Sequence, residues 1–281
     1  GLQAKHGEAR VFDTSLSEEG IIGRAVGMAI AGLMPVPEIQ FRKYAEPATE
    51  QINDAGTMRW RTGNRFAAPM VVRIPGGFFK CGDPWHSQTN EVAFIHNPGW
   101  QVAVPSNAED AVGLLRTALR GNDPVIFFEP KRRYWEKAEV DVTATPDPLW
   151  QARIVRPGTD LTLIAYGPMV RTCLEAAAAA AGEGHQLEVV DLRSLSPLDF
   201  ETVFASVRRT GRAVVVHEAP SFVGLGSEIA ARLSEELYYE MEAPVLRVTG
   251  FDTPYPPSRV EEDYLPDLDR VLHGVDRSLA Y

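Results

Sequence analysis

The chain has 281 residues, 44% hydrophobic and 23% charged, which are globular values and enough length for one large domain or two ordinary ones. A net charge of −10 argues against a nucleic-acid surface. Cys81 and Cys173 make neither a metal nor a redox spacing, which argues against a disulfide framework and favours a reducing compartment. No apolar run reaches the roughly 18 residues that span a bilayer, and no leader peptide is visible in a chain that begins at Gly1 without Met.

The first predicted helix covers residues 18–33 and follows Asp13-Thr14-Ser15-Leu16-Ser17-Glu18. Gly20, Gly23 and Gly27 share one face, and Ile21, Ile22, Ala25, Val26, Met28, Ala29 and Ile30 fill most of the rest. The pattern predicts a buried helix that another backbone approaches closely. Ser17 is the expected N-cap, which puts Glu18 in the first turn. A carboxylate there is either a solvated helix-start residue, as acids commonly are, or a working group in a cleft. Residues 36–41 read as a short strand, 48–60 as a helix and 70–75 as an apolar strand. A glycine-rich loop follows from 76 to 90. Residues 100–104 read as a strand, 108–120 as an amphipathic helix and 125–130 as a buried strand. This alternation implies βαβ units and a mostly parallel sheet.

Residues 131–150 are charged, contain Pro146 and Pro148 and show little helical period, as a domain linker would. A second αβ series then begins. Strands are expected at 161–167, 187–192, 213–217 and 245–248. Helices are expected at 169–181, 199–209, 227–239 and 268–279. The expected division is a first domain at 1–138, a linker at 139–150 and a second domain at 151–281.

The loop from Gly76 to Asn90 is too long for a hairpin turn and holds Lys80, Cys81, Asp83, His86, Ser87 and Gln88. His86 is a candidate proton donor or substrate clamp, or an ordinary surface histidine. Cys81 beside Lys80 is a candidate thiolate or plain packing; no base or orienting partner is identifiable from the sequence. Tyr44 follows a strand end, where ligand crevices form in parallel sheets; it is either a ring that stacks on a flat ligand or a core-edge aromatic. Gly224-Leu225-Gly226 resembles half a phosphate loop without its third glycine. His217-Glu218 is a polar pair at a crevice or a set of structural hydrogen bonds between domains.

Six stretches in order carry a resemblance over nearly the whole chain. They are Asp13-Thr14-Ser15-Leu16-Ser17-Glu18, Pro37-Glu38-Ile39-Gln40-Phe41, His86-Ser87-Gln88, the run from Asp123 to Lys131, His217-Glu218-Ala219-Pro220, and the run from Gly250 to Pro256. Together they resemble the beta subunit of thiamine-diphosphate-dependent 2-oxo acid dehydrogenases, and residues 127–134 look most like the branched-chain members. The resemblance implies an α/β fold of two domains, a transketolase-type pyrimidine-binding domain and a transketolase C-terminal-type domain, with mostly parallel sheets. It implies an α2β2 heterotetramer whose alpha subunit holds magnesium and the diphosphate through a Gly-Asp-Gly motif absent here. It implies oxidative decarboxylation of a 2-oxo acid and acyl transfer to lipoyl-lysine of an acyltransferase core, which the stretch to Tyr281 helps to dock. No nucleic-acid or membrane partner is implied, and the location is cytoplasmic, or the mitochondrial matrix in a eukaryote.

By the same resemblance Glu18 matches the carboxyl group that bonds the pyrimidine ring nitrogen and drives the imino form, in which the cofactor deprotonates its own thiazolium carbon. A helix N-terminus favours the ionised carboxylate and burial the neutral acid, so the opposing effects tune the sharing of that proton. Tyr44 matches the aromatic that stacks on the aminopyrimidine. Leu16 and Gln40 match flanking pocket positions, and His86 a histidine placed for reductive acylation of the lipoyl group. Potassium in the family is held near the positions of Ala118, Gly121 and Asp123.

The chain departs from the family in three places. The family has about forty further residues before this start, so the first domain looks incomplete. Thr89-Asn90 replaces Ser-Pro, after a bulkier loop from Gly76 to Trp85. Arg42-Lys43 is a basic pair where small or acidic residues are usual. The alternatives are a thiamine-diphosphate carboligase or transketolase-like subunit with another acceptor, a catalytically silent scaffold, and, more distantly, a flavodoxin-like module.

Overall fold

The computed structural model describes residues 1–144 and 148–281, so Pro146 and the middle of the expected linker at 139–150 lie outside the described residues. In chain order the first half holds α1 (Leu2–His6), α2 (Glu18–Ile30), α3 (Thr49–Arg61), β1 (Val71–Gly76), α4 (Val92–Ile95), β2 (Gln101–Ala103), α5 (Ala108–Ala118) and β3 (Val125–Pro130). The second half holds β4 (Arg153–Arg156), β5 (Leu161–Ala165), α6 (Met169–Gly182), β6 (Leu187–Asp191), β7 (Ser194–Ser196), α7 (Phe200–Thr210), β8 (Ala213–Pro220), α8 (Leu225–Leu237), β9 (Leu246–Gly250), α9 (Glu261–Tyr264) and α10 (Leu268–Leu279).

Two sheets form, in the orders β1-β3-β2-β7 and β4-β6-β5-β8-β9. Pairing is parallel except for the edge strands β7 and β4. Alternation along β5 and β8 sorts their side chains by face. Leu161, Leu163, Val214 and Val216 pack under α6 and α10. Ile164 and Val215 face the other way, in one apolar cluster with Val203 of α7 and Ile229 of α8. That cluster runs on into the first half through Ile22, Ile52, Val72, Val102 and Phe128, so the two halves share a core. β7 reinforces the union: it follows β6 in sequence but pairs with β2 in the first sheet.

Two expectations need correction. Residues 36–41 form no strand. Their contact with β1 is a bridge from Glu38 to Arg73, flanked by Ile39 N–H to Arg73 carbonyl and Arg73 N–H to Pro37 carbonyl bonds of 3.0 and 2.9 Å. Pro35 and Pro37 lack the N–H that a ladder needs. Nor is α2 buried all round. Ile22, Ala25 and Ala29 are buried, whereas a side chain added at Gly27 would meet open space and one at Gly23 only the Gln51 side chain at 3.5 Å. Among the described residues no backbone closes on Gly23 or Gly27. Ser17 takes the extended N-cap backbone, but its hydroxyl makes no capping bond. The sequence reading also passed over α1, α4, α9, β4 and β7, all too short for a periodic signal. Among the described residues no helix is long and apolar enough to cross a membrane.

Candidate active site

The loop after β1 brings His86 back to the segment after the Glu38 bridge. Its ring Nε2 lies 3.0 Å from the Tyr44 hydroxyl, and the Phe41 ring sits edge-on at 4.8 Å. Asp83 holds the other side of the imidazole. Its Oδ1 is 3.3 Å from Nδ1 of His86 and accepts the N–H groups of Trp85 at 2.8 Å and His86 at 3.3 Å. Desolvation pushes the Asp83 carboxyl up, but those two amides together with the nearby His86 and Lys43 outweigh it and hold its pKa below the ordinary value. The imidazole is thus gripped between a phenol and a carboxylate and stays part-exposed. Lys131, just beyond β3, donates from Nζ to Ser87 Oγ at 3.0 Å and lies 5.9 Å from the Phe41 ring centroid.

Arg42 of the basic pair and the unusual Asn90 have a joint explanation. Arg42 is buried, donates to the Asn90 side chain and to Glu46, and lies over the Phe94 ring at 5.1 Å. Asn90 thereby ties the end of the His86 loop to the turn that carries Tyr44.

Glu18 stands at the start of α2, half-buried, with no hydrogen-bond or ion-pair partner among the described residues. Ile21, one turn along the same face, and Tyr44 both lean on the core cluster. Gln40 is half-buried beside Phe41, and Leu16 is 86% exposed, so this chain alone does not enclose it. A half-buried carboxylate without a side-chain partner has the chemistry to bond an aminopyrimidine ring.

Ala118, Gly121 and Asp123 lie elsewhere, before β3, about 17 Å along the strand from its carboxyl end. The Ala118 carbonyl accepts the Gly121 N–H at 3.1 Å, and Asp123 is paired with Arg59 at 2.5 Å. An open cleft of about 1060 Å³ lies at that end, lined by Ala55, Trp60, Trp100 and Asp123 among others, and includes neither Glu18 nor His86.

Three other sequence candidates resolve as structural. Cys81 is buried and donates from Sγ to the Asp83 carbonyl at 3.4 Å. His217 is fully buried; Nδ1 contacts the Ala219 carbonyl at 3.0 Å and Nε2 accepts the Gly226 N–H at 3.2 Å, which assigns the proton to Nδ1. Burial lowers its pKa to about 4. Gly224 and Gly226 are small so that His217 fits, since a Cβ would stand 2.9 and 2.8 Å from its ring. No phosphate cradle is left there. Glu218 bonds across the halves, accepting the Phe78 N–H at 2.7 Å.

The sequence reading missed Glu91. It is 2% exposed, accepts the Tyr166 hydroxyl, and shares a small cavity with Glu218 and Gly77. Burial raises both carboxyls to about 7. A glutamate in a polar run carries no signal of this, because solvated glutamates look the same.

Comparison with known proteins agrees with this architecture. Residues 1–136 match the transketolase pyrimidine binding domain and residues 151–271 the transketolase C-terminal domain. A solved split-gene transketolase, described as an inactive beta4 tetramer, superposes with a TM-score of 0.83 at 26% identity, covering 99% of this chain and 86% of that one. The "pyruvate dehydrogenase E1 component subunit beta" of Leifsonia xyli subsp. xyli is 49% identical over 100% of this chain and 84% of its own length. The "3-methyl-2-oxobutanoate dehydrogenase subunit beta" of Mycobacterium tuberculosis is 47% identical over 99% of this chain and 81% of its own length. The "2-oxoisovalerate dehydrogenase subunit beta" of Pseudomonas aeruginosa is 45% identical over 96% and 81%. The fold and the family matches define an α/β protein with two transketolase-type domains, a pyrimidine binding domain and a C-terminal domain. Within that class the chain belongs to the beta-subunit family of 2-oxo acid dehydrogenases.

Proposed function

We propose that the chain is the beta half of a first component that oxidatively decarboxylates a 2-oxo acid, branched-chain in preference to pyruvate, and passes the acyl group to lipoyl-lysine. The observation that carries this reading is the imidazole of His86 held between Tyr44 and Asp83 at the mouth of the first sheet. An alpha subunit completes an α2β2 assembly and holds magnesium and the diphosphate. On the same reading the chain divides into a first domain at 1–138, a linker at 139–150 and a second domain at 151–281. Potassium binding at Ala118, Gly121 and Asp123 belongs to the same proposal, with backbone oxygens as ligands because Arg59 occupies the Asp123 carboxylate.

Thiamine diphosphate, when bound, supplies the carbon nucleophile and electron sink. This chain supplies orientation and protons. With that cofactor bound, Glu18 would hold a proton at the pyrimidine ring nitrogen, Tyr44 would stack on that ring, and Leu16 and Gln40 would flank it. His86 presents Nε2 to the incoming disulfide and gives its proton to the departing sulfur, while Asp83 steadies the imidazolium.

The test is 2-oxo acid-dependent ferricyanide reduction by the co-purified alpha–beta assembly, with and without thiamine diphosphate, comparing pyruvate with 2-oxoisovalerate. Cofactor-dependent reduction with the branched acid preferred is expected. No reduction by a cofactor-loaded tetramer overturns the reading. A carboligase with another acceptor is the second reading, favoured by the likeness to a transketolase.

A further inference from the structure

The loop that carries His86 is fastened by groups from the other end of the sequence. At its entry Glu218 accepts the Phe78 N–H at 2.7 Å. At its tip the two carboxylate oxygens of Glu261 accept consecutive amides, Lys80 N–H at 3.1 Å and Cys81 N–H at 2.9 Å. The Ser258 N–H bonds back to the Cys81 carbonyl at 3.1 Å. At its exit the Tyr255 hydroxyl accepts the Thr89 N–H at 3.0 Å, and the Phe78 ring stacks on the Tyr255 ring at 4.0 Å.

The tip matters most. Lys80 has φ +51°, a left-handed conformation that strains a residue with a Cβ and persists only where its surroundings over-determine it. The buried Glu261 carboxylate does so, because only a bent backbone presents two successive N–H groups to one carboxylate. The path onward to His86 is short. Cys81 Sγ bonds the Asp83 carbonyl, and the Asp83 carboxylate bonds the His86 amide and faces its Nδ1.

We propose that Glu261 is a positioning residue for His86. It pins the strained loop tip, and through Cys81 and Asp83 sets where the imidazole stands. This assignment rests on the reading of His86 in acyl transfer given above. Glu261 is buried and commits both carboxylate oxygens to loop amides, so decarboxylation does not need it, whereas delivery of a proton to the lipoyl sulfur does.

The experiment uses Glu261→Gln in the assembled alpha–beta enzyme, with the exposed neighbour Glu262→Gln as control. Glutamine keeps one acceptor oxygen and turns an amide donor toward the second N–H. In wild type, hydrogen exchange at the Lys80 and Cys81 amides is expected to be slow although Lys80 is exposed. In Glu261→Gln it speeds up about tenfold to a hundredfold at those amides. Acyl transfer to a lipoyl domain falls about tenfold, and ferricyanide reduction stays within twofold. Glu262→Gln leaves all three unchanged. Unprotected Lys80 and Cys81 amides in wild type overturn the proposal without any variant, as does equal loss of both reactions in Glu261→Gln. If wild type itself reduces no 2-oxo acid, the functional reading fails, and the exchange data still decide whether Glu261 pins the loop.

Discussion

Replacing Glu91 by glutamine isolates the effect of burying an acid. Glu91 is 2% exposed and accepts the Tyr166 hydroxyl, and burial raises its pKa from 4.5 to about 7. The fold therefore favours the protonated form. Its contribution to stability is fully present below pH about 4.5 and is lost as pH rises through about 7, the reverse of a salt-bridged carboxylate. A shift of that size is worth about 3 kcal/mol at most. Glutamine resembles the neutral acid, and its carbonyl still accepts from Tyr166. Glu91→Gln should therefore match wild type within about 0.5 kcal/mol at pH 5 and exceed it by about 2 kcal/mol at pH 8.5. His217, with its pKa lowered to about 4, withdraws stability as pH falls below 6.5, but it does so in both proteins and cancels in the difference. The assay is the urea midpoint of each protein from pH 5 to 8.5 at one protein concentration. A difference that stays flat across that range would refute a buried, protonated Glu91.

Glu18→Ala should slow cofactor C2 proton exchange in the assembled enzyme by about a hundredfold while the tetramer still forms; exchange at the wild-type rate would remove the role assigned to Glu18. Tyr44→Phe deletes the hydroxyl beside His86 Nε2, a bond worth about 1 kcal/mol, and should cut acyl transfer to a lipoyl domain about fivefold, measured by mass spectrometry of acyl-lipoyl product. Gly226→Ala places a Cβ 2.8 Å from His217 Nε2 and should destabilise the chain by about 1–3 kcal/mol in a urea titration, whereas a phosphate-binding role would leave stability nearly unchanged.

Long periodic segments declared themselves in the chain. Strand 125–130 and helix 268–279 have the bounds expected of them, because burial on both faces and burial on one stripe each leave a local pattern. Tyr44 and His86 carried motif signals, and the structure brings them together. Glu18, Leu16 and Gln40 stood out in the sequence only by resemblance, and the folded chain leaves Leu16 86% exposed. The proline-broken segment at 36–41 shows the limit of local reading: its residue types suit a strand, but hydrogen-bond donors decide pairing.

What no local pattern reveals is which distant polar groups meet. Glu91, Glu218 and Glu261 look like any solvated acid, and β7 looks like a loop. Their roles arise only when the second half folds back over the end of the first sheet, where the desolvation of a carboxyl and the capture of a loop amide depend on atoms 75 to 180 residues away. Composition and periodicity determine the layers. The shared core alone determines where the acids, the strained loop and the imidazole stand relative to one another.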